Sequence, residues 1–332
     1  MDQPRSSGLG PWCVGVRVVV RRVVPGETGP TGGPAMTDLL GVLEEWGATT
    51  ITVRGEDGTS VVIDRALIVS GKPVPPRPSV RQRVGADDVA LRSADVWPAL
   101  EVERVGDWLL RASSGFSRRA NSALLAGDPV LPWADALDEV GAFYRSRRLP
   151  PQVQAIGGSV VADRLLSSGW APAGPGADVV VQLAGVAQSL RAVRRGGGPP
   201  SVQLLERVSS GWLASDTRAL AHQEAAVAVL EGPEQVVFAA VTDSAGAVVA
   251  KGRAALSERA DVWAGITDVW VEPALRGRGL ALGVMGALLA WSAERGASTA
   301  FLQATEDNHP ALALYERLGF VTHHTYRYLR LP

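Results

Sequence analysis

Between Ile266 and Gly296 the chain reads ITDVWVEPALRGRGLALGVMGALLAWSAERG. A β-branched, apolar run passes through a glycine-rich turn directly into a long apolar helix. That order fits a strand–turn–helix unit, which needs a sheet to hold the strand and a helical layer beside it. Gly277 and Gly279 free the backbone to expose successive N–H groups at the helix start. Those donors, the positive end of the helix dipole, and Arg276 and Arg278 together suit a pyrophosphate. Ala281, Gly283 and Gly286 are small enough for the helix to lie close to the sheet. Taken alone, RGRG also fits a turn whose glycines are incidental.

The rest of the chain alternates in texture. At about 150 residues per domain, 332 residues imply two or three domains. Residues 12–72 read as all-β. Val14, Val16, Val18 and Val20 recur at every second position, Asp57-Gly58 marks a hairpin turn, and Pro25 to Thr37 forms a Gly/Pro-rich loop. Four or five short strands there predict a small SH3-like barrel. Prolines 73, 75, 76 and 78 make 73–84 an extended linker. Beyond it, strands are expected at 107–112, 117–125, 152–155 and 178–183, with helices at 133–148 and 160–168. Residues 194–201 (RRGGGPPS) form a second linker. A helix over 205–230, strands at 235–242, 247–256 and 262–271, a helix over 279–295, a strand at 298–304, a helix over 309–318 and a strand over 320–331 complete the pattern. This predicts an α/β fold with a mixed sheet. Its halves, 85–190 and 201–332, echo one another: VQA and LLSSGW in the first stand where LQA and YERLGF stand in the second.

Charge and cysteine content narrow the function. Thirty-three basic and 34 acidic residues leave a net charge of −1, which disfavours binding to nucleic acid by bulk charge. Cys13 is the single cysteine, so neither a disulfide within the chain nor a cysteine-based zinc site is available. The histidines are His222, His309, His323 and His324. The adjacent pair falls on a strand, where the two rings are expected on opposite faces, so a shared metal site is not expected. The N-terminus does not read as a signal peptide, and the apolar stretch Leu280 to Ala293 is shorter than the ~20 residues of a membrane span. A soluble cytoplasmic protein, with no membrane partner, is the expectation. The N-terminal region balances its charges and offers only Trp12 and Trp46 as aromatics, favouring a structural or protein-docking role.

A second motif, NHPALALYERLGF, runs from Asn308 to Phe320. Asn308 suits a helix N-cap, Pro310 is tolerated in the first turn, and Tyr315 shares a helix face with Ala311, Leu312 and Leu318. At this spacing the two motifs together resemble the GNAT superfamily of acetyl-CoA-dependent N-acetyltransferases. The family's Arg/Gln-x-x-Gly-x-Gly/Ala signature falls on Arg276, Gly279 and Ala281, with Gly277, Arg278 and Leu280 in the same loop. The strand Asp268 to Val271 matches the one that holds pantetheine through its backbone, here at Val269, Trp270 and Val271. Asn308 and Tyr315 match the family's Asn and Tyr. More loosely, the whole chain resembles bacterial proteins with an SH3-like domain ahead of a double GNAT body, sometimes labelled histone acetyltransferase-like.

The resemblance implies acetyl-CoA as cosubstrate and direct transfer to an amine. The acceptor stays open between a protein lysine, a peptide N-terminus and a small metabolite, and so does the oligomeric state. A small-molecule amine or amino-acid acetyltransferase is the narrower alternative, and a non-catalytic acyl-CoA sensor the rival from another class. An amine attacks only when neutral, so a base must take its proton, and the leaving thiolate needs a donor such as Tyr315. In one branch of the family a Glu on the penultimate strand is the base; here that position is Gln303, which cannot accept the proton. Asp268, Glu306, Asp307 and His309 are substitutes, with Asp268 the catalytic candidate. In the first half, GDPVLPWADAL (127–137) carries no phosphate-loop pattern and includes Asp128 and Asp135, while Leu165 occupies the place of Tyr315. Residues 85–190 therefore read as a degenerate lobe walling the acceptor site. Arg118 and Arg119 read more readily as an exposed basic turn than as contacts to an anionic acceptor.

Overall fold

The computed structural model describes residues 8–29, 32–74, 79–195 and 201–331. Two units divide between Ser79 and Val80. In the first, alternation governs burial. Val18 and Val20 point inward with Cys13, Leu43, Ile51, Val53 and Ile63, while their neighbours face outward. The strands are β1 (Arg17–Thr28), β2 (Pro34–Trp46), β3 (Thr50–Gly55), β4 (Ser60–Asp64) and β5 (Ile68–Pro73), antiparallel in the order β4-β3-β2-β1-β5. The Asp57-Gly58 turn forms as expected, with Asp57 Oδ1 accepting from Thr59 N at 2.9 Å and Gly58 at φ 85°. Two expectations change. Strand pairing extends β1 and β2 well into the Gly/Pro-rich loop, down to Thr28 opposite Pro34. Among the described residues no ladder joins β4 to β5, so the sheet is open and a closed barrel is not shown. Residues 75–78 of the proline-rich linker lie outside the described residues.

The second unit is built on one twelve-stranded mixed sheet. After α1 (Ala86–Val96) come β6 (Glu101–Val105), β7 (Trp108–Ala112), β8 (Ala123–Leu124), α2 (Trp133–Ser146), β9 (Gln152–Ile156), α3 (Val160–Ser167), β10 (Ala171–Pro172), β11 (Asp178–Gly185) and α4 (Val186–Arg195). Residues 196–200, most of the second linker, lie outside the described residues. Then follow β12 (Gln203–Leu205), α5 (Ser210–Leu213), α6 (Thr217–Ala221), α7 (Gln223–Leu230), β13 (Val236–Thr242), β14 (Val248–Glu258), β15 (Val262–Val271), α8 (Leu280–Glu294), β16 (Thr299–Thr305), α9 (His309–Arg317) and β17 (Val321–Arg330). The sheet order is β12-β13-β14-β15-β16-β11-β17-β9-β8-β7-β6, with β10 pairing β17 off this path.

Apart from the outermost β12, this order reads the same from either side of the β11–β17 pair. β15 runs parallel to β16 with α8 between them in sequence, and β8 runs parallel to β9 with α2 between them. β16, α9 and β17 correspond to β9, α3 and β11, the segments whose sequences echo. Each half nevertheless gives its last strand away. β11 pairs with β16 and β17, and β17 pairs with β11 and β9.

Local competition explains the departures from the expected elements. The strand expected over 117–125 is mostly loop. Asn121 Oδ1 accepts from Ser113 N and Gly115 N at 2.8 and 3.0 Å, and its Nδ2 donates to Phe116 O and Ser117 O. A side chain that satisfies four backbone groups replaces the ladder there. The single helix expected over 205–230 is three. Ser209 caps α5 and Asp216 caps α6, so each polar side chain starts a new helix rather than continuing the last. A register shift in β17 leaves His323 without an opposing residue, and this bulge turns the two histidines toward each other, Nδ1 to Nδ1 at 2.7 Å. The expectation of opposite faces fails at that bulge.

Candidate active site

β15 and β16 pair only from Trp263–Thr299 to Ile266–Leu302 and then separate. The separation coincides with a bulge. β15 carries two residues, Asp268 and Val269, opposite Gly252 alone, and Asp268 adopts φ 51°. Left-handed backbone at a non-glycine residue is strained, and Asp is among the few residues that tolerate it. From Thr267 onward one edge of β15 is therefore free beside β16. Val269, Trp270 and Val271 are half-buried there.

The same strand leads into the expected loop. Gly277 and Gly279 both take positive φ, 78° and 80°, and nothing lies within 4 Å of a side chain added at either. The first N–H of α8 to find a helical acceptor is that of Gly283, which donates to Gly279 O at 3.0 Å. The first-turn N–H groups, from Leu280 through Ala281 to Leu282, are left to an outside acceptor. Arg276 and Arg278 are exposed beside them, with Arg276 Nε donating to Val271 O at 3.3 Å. An open, donor-rich cradle with two cations fits a pyrophosphate. Asn308 caps α9 as expected, its Oδ1 accepting from Ala311 N at 3.3 Å.

Tyr315 packs on one face of the sheet, in a cluster with Ala304, Val269 and Val271, residues from both sides of the separation. Burial pushes its phenol up to about 12, and among the described residues its hydroxyl has no hydrogen-bond partner. Tyr315 does not line the large cavity of the protein. That cavity, of about 770 Å³, receives Asp268 and Gln303 along with Arg118, Arg119, Arg218 and His222. Its walls come from both sequence halves. Glu306, Asp307 and His309, the other base candidates, lie exposed at the surface and do not reach it.

Asp268 is the carboxylate of this cavity. Burial pushes its pKa up, against the pull of Lys251, Arg253 and Arg119, and leaves it above the ordinary value. Gln303 is fully engaged: Tyr326 Oη donates to its Oε1 at 2.9 Å, and its Nε2 donates to Ser93 Oγ at 2.6 Å. Behind the wall Lys251 is 3% exposed and donates to Trp212 O at 2.9 Å. Arg253 is fully buried, donating to Leu230 O at 2.9 Å and Val96 O at 3.0 Å, with Nη2 unpartnered. Burial pushes both of these cations' pKa values down.

Arg118 and Arg119 correct the exposed-turn expectation. Arg118 donates to Gly176 O at 2.9 Å and lies 5.3 Å from the Tyr328 ring centre. Arg119 sits 5.1 Å from the Trp97 ring centre, and its Nε is buried without a partner. Burial opposes the Arg119 charge, but Tyr326, Tyr328 and Asp268 outweigh it and raise its pKa. His222, Tyr326, Tyr328, Lys251 and Arg253 escaped the sequence reading. Lys251 and Arg253 carried a signal, because VVAKGRAAL places two cations on one face of an otherwise apolar strand.

Comparison with known proteins gives this geometry a family. The profile described as "Probable histone acetyltransferase Rv0428c C-terminal" matches residues 88–329. The chain is 29% identical over 323 residues to "Probable histone acetyltransferase Rv0428c" of Mycobacterium tuberculosis, covering 95% of each. It is 26% identical over 247 residues to "Uncharacterized N-acetyltransferase YobR" of Bacillus subtilis, covering 72% of this chain and 96% of that one. A GCN5-related N-acetyltransferase from Kribbella flavida shares the fold, with a TM-score of 0.53 at 17% identity over 74% of this chain and 95% of its own. With a strand that parts from its neighbour beside an open, donor-rich helix start, and with this match over most of its length, the chain belongs to the Rv0428c C-terminal family and is a GNAT-type N-acetyltransferase.

Proposed function

We propose that the enzyme transfers the acetyl group of acetyl-CoA directly to an amine held in the cavity beside Asp268. The observation that carries this reading is the position of Asp268. It stands on the bulge where β15 leaves β16, facing the cavity, while the same strand ends in the open loop before α8. Acetyl-CoA supplies an activated thioester, and an amide bond to the acceptor nitrogen forms as its C–S bond breaks. Arg276, Arg278 and the first-turn N–H groups of α8 hold its pyrophosphate, and the free edge from Val269 to Val271 orients the pantetheine. Asp268 accepts the proton of the incoming amine, directly or through water. The phenol of Tyr315, kept protonated by burial, donates to the departing sulfur.

Within the second unit, 201–332 carries the cosubstrate and 85–190 forms the acceptor wall as a degenerate counterpart. α2 starts at Trp133, after Pro132 as its N-cap, and carries Asp135 in its first turn, which disfavours phosphate. The N-terminal sheet is read as an SH3-like module with a structural or docking role, supported by its five antiparallel strands. Dependence on acetyl-CoA fits a cytoplasmic setting, and no helix among the described residues is long and apolar enough to cross a membrane. The test is calorimetry with acetyl-CoA, followed by thiol release with a panel of amines. One site per chain and amine-dependent release are expected. Binding without release from any amine would favour the sensor, and two equivalent sites would overturn the assignment of the first half.

A further inference from the structure

The cavity and its surroundings hold more cations than the protein's own carboxylates balance. Asp268 faces Arg119, Lys251 and Arg253. The nearby Asp216 is already engaged, capping α6 and pairing with Arg218 at 3.2 Å. Arg118 donates to the carbonyls of Pro175 and Gly176 and to no carboxylate among the described residues. Arg119 lies over Trp97 with a buried Nε that has no acceptor. Among the described residues, the guanidinium of Arg111, a residue 1% exposed, donates only to Ser122 and Gln154. Removing charges from water is unfavourable unless counter-charge is supplied, and a guanidinium fork pairs best with a planar or tetrahedral oxyanion. The phosphates of the cosubstrate cannot supply it if they occupy the loop at the far end of β15.

We infer that the acceptor brings the missing anion: a small amine that also carries a compact oxyanion, a carboxylate or a phosphate, bound by Arg118 and Arg119. This rests on the transferase reading above. The amine faces Asp268, the anion faces the two arginines, and the rings of Trp97 and Tyr328 line the space between them. The volume of about 770 Å³ lies within the roughly 300–1,000 Å³ of small-molecule sites. The same charges disfavour a lysine-rich tail, so the histone in the name of the mycobacterial relative is not the acceptor expected here.

The experiment measures thiol release with the free amino acids and O-phosphoethanolamine, each against a counterpart without the oxyanion (called neutral below for that missing charge), the amino-acid amides and ethanolamine. At least one anionic acceptor should exceed its neutral counterpart in kcat/KM by roughly 10–100-fold, the value of one charge-assisted hydrogen bond. The carboxylate and phosphate arms identify which oxyanion is read. Arg119→Gln should erase that preference through KM, and Arg119→Lys should keep part of it. An unchanged far-UV circular dichroism spectrum and unchanged acetyl-CoA affinity report that the variants are folded, and the preference is read as the ratio of the two acceptors within each variant. Equal or better use of neutral amines or of a lysine-rich peptide, or a preference that survives both Arg118→Gln and Arg119→Gln, would overturn the inference and leave the transferase reading intact. Calorimetry with N-acetyl amino acids and N-acetylphosphoethanolamine, in the presence of CoA, separates the other case. If these bind in an Arg119-dependent way while no amine releases thiol, the transferase reading fails alone; if they do not bind and no thiol is released, both fail.

Discussion

Asp268 is held at φ 51°, a conformation that Asn tolerates nearly as well as Asp. Asp268→Asn is therefore a clean removal of a base, with the bulge retained. We expect kcat/KM to fall by ~10²–10⁴-fold, the usual contribution of a positioned base, with acetyl-CoA affinity unchanged. The pH profile adds a second reading. Because burial raises this carboxyl above its ordinary value, and only the ionised form accepts a proton, the rate should begin to fall on acidification at a higher pH than an exposed Asp would give. That acid limb should be missing from Asp268→Asn. Tyr315→Phe tests the opposite proton. The hydroxyl has no protein partner among the described residues, so its loss should alter stability by only about 1 kcal/mol. Turnover should drop toward the lower end of ~10²–10⁴-fold, since water replaces a phenol in part. A variant as fast as the parent would return Tyr315 to a packing role.

At the scale of elements, the loop before α8 makes the sharpest prediction. Gly279→Ala and Gly279→Glu impose the same left-handed strain, about 1–2 kcal/mol, but only glutamate brings a repelling charge into open space. Calorimetry should show acetyl-CoA binding lost in Gly279→Glu and weakened far less in Gly279→Ala, with similar melting temperatures for the two. Elements with an unbroken period were legible in the sequence. β15 was placed at its exact bounds, and α8, β16, α9 and β17 to within about a residue at each end. Legibility ended where a polar side chain takes over the backbone's bonds, as Asn121 does at 117–125 and Asp216 at the start of α6. It ended again at bulges, because one extra residue in β17 reverses the facing of every side chain beyond it, and no local pattern marks the place. The glycine-rich turn before α8 was legible because its residues are contiguous in sequence. The cavity was not, because Trp97, Arg119, His222 and Asp268 meet only after the two halves are joined.

At the scale of the whole molecule, we expect the first unit to be removable and the second to be indivisible. A fragment beginning at Val80 should bind acetyl-CoA as the full chain does, since its sheet and cradle are contained within it. A fragment of 201–332 should fail to fold or to bind, because it lacks β11, the strand between β16 and β17. Far-UV circular dichroism and calorimetry on the two fragments decide this, and a folded, binding 201–332 would show that the exchange of strands is dispensable. The exchange also bears on how such a chain changes over generations. With residues 85–190 read as the acceptor wall, the loop before α2 owes nothing to the sheet and can change one substitution at a time. The strand it lends is under such an obligation, since losing it parts β16 from β17 and exposes the edge of β16 opposite β15. On that reading a half that does no chemistry of its own is still kept, as a lodger is kept who holds up the roof.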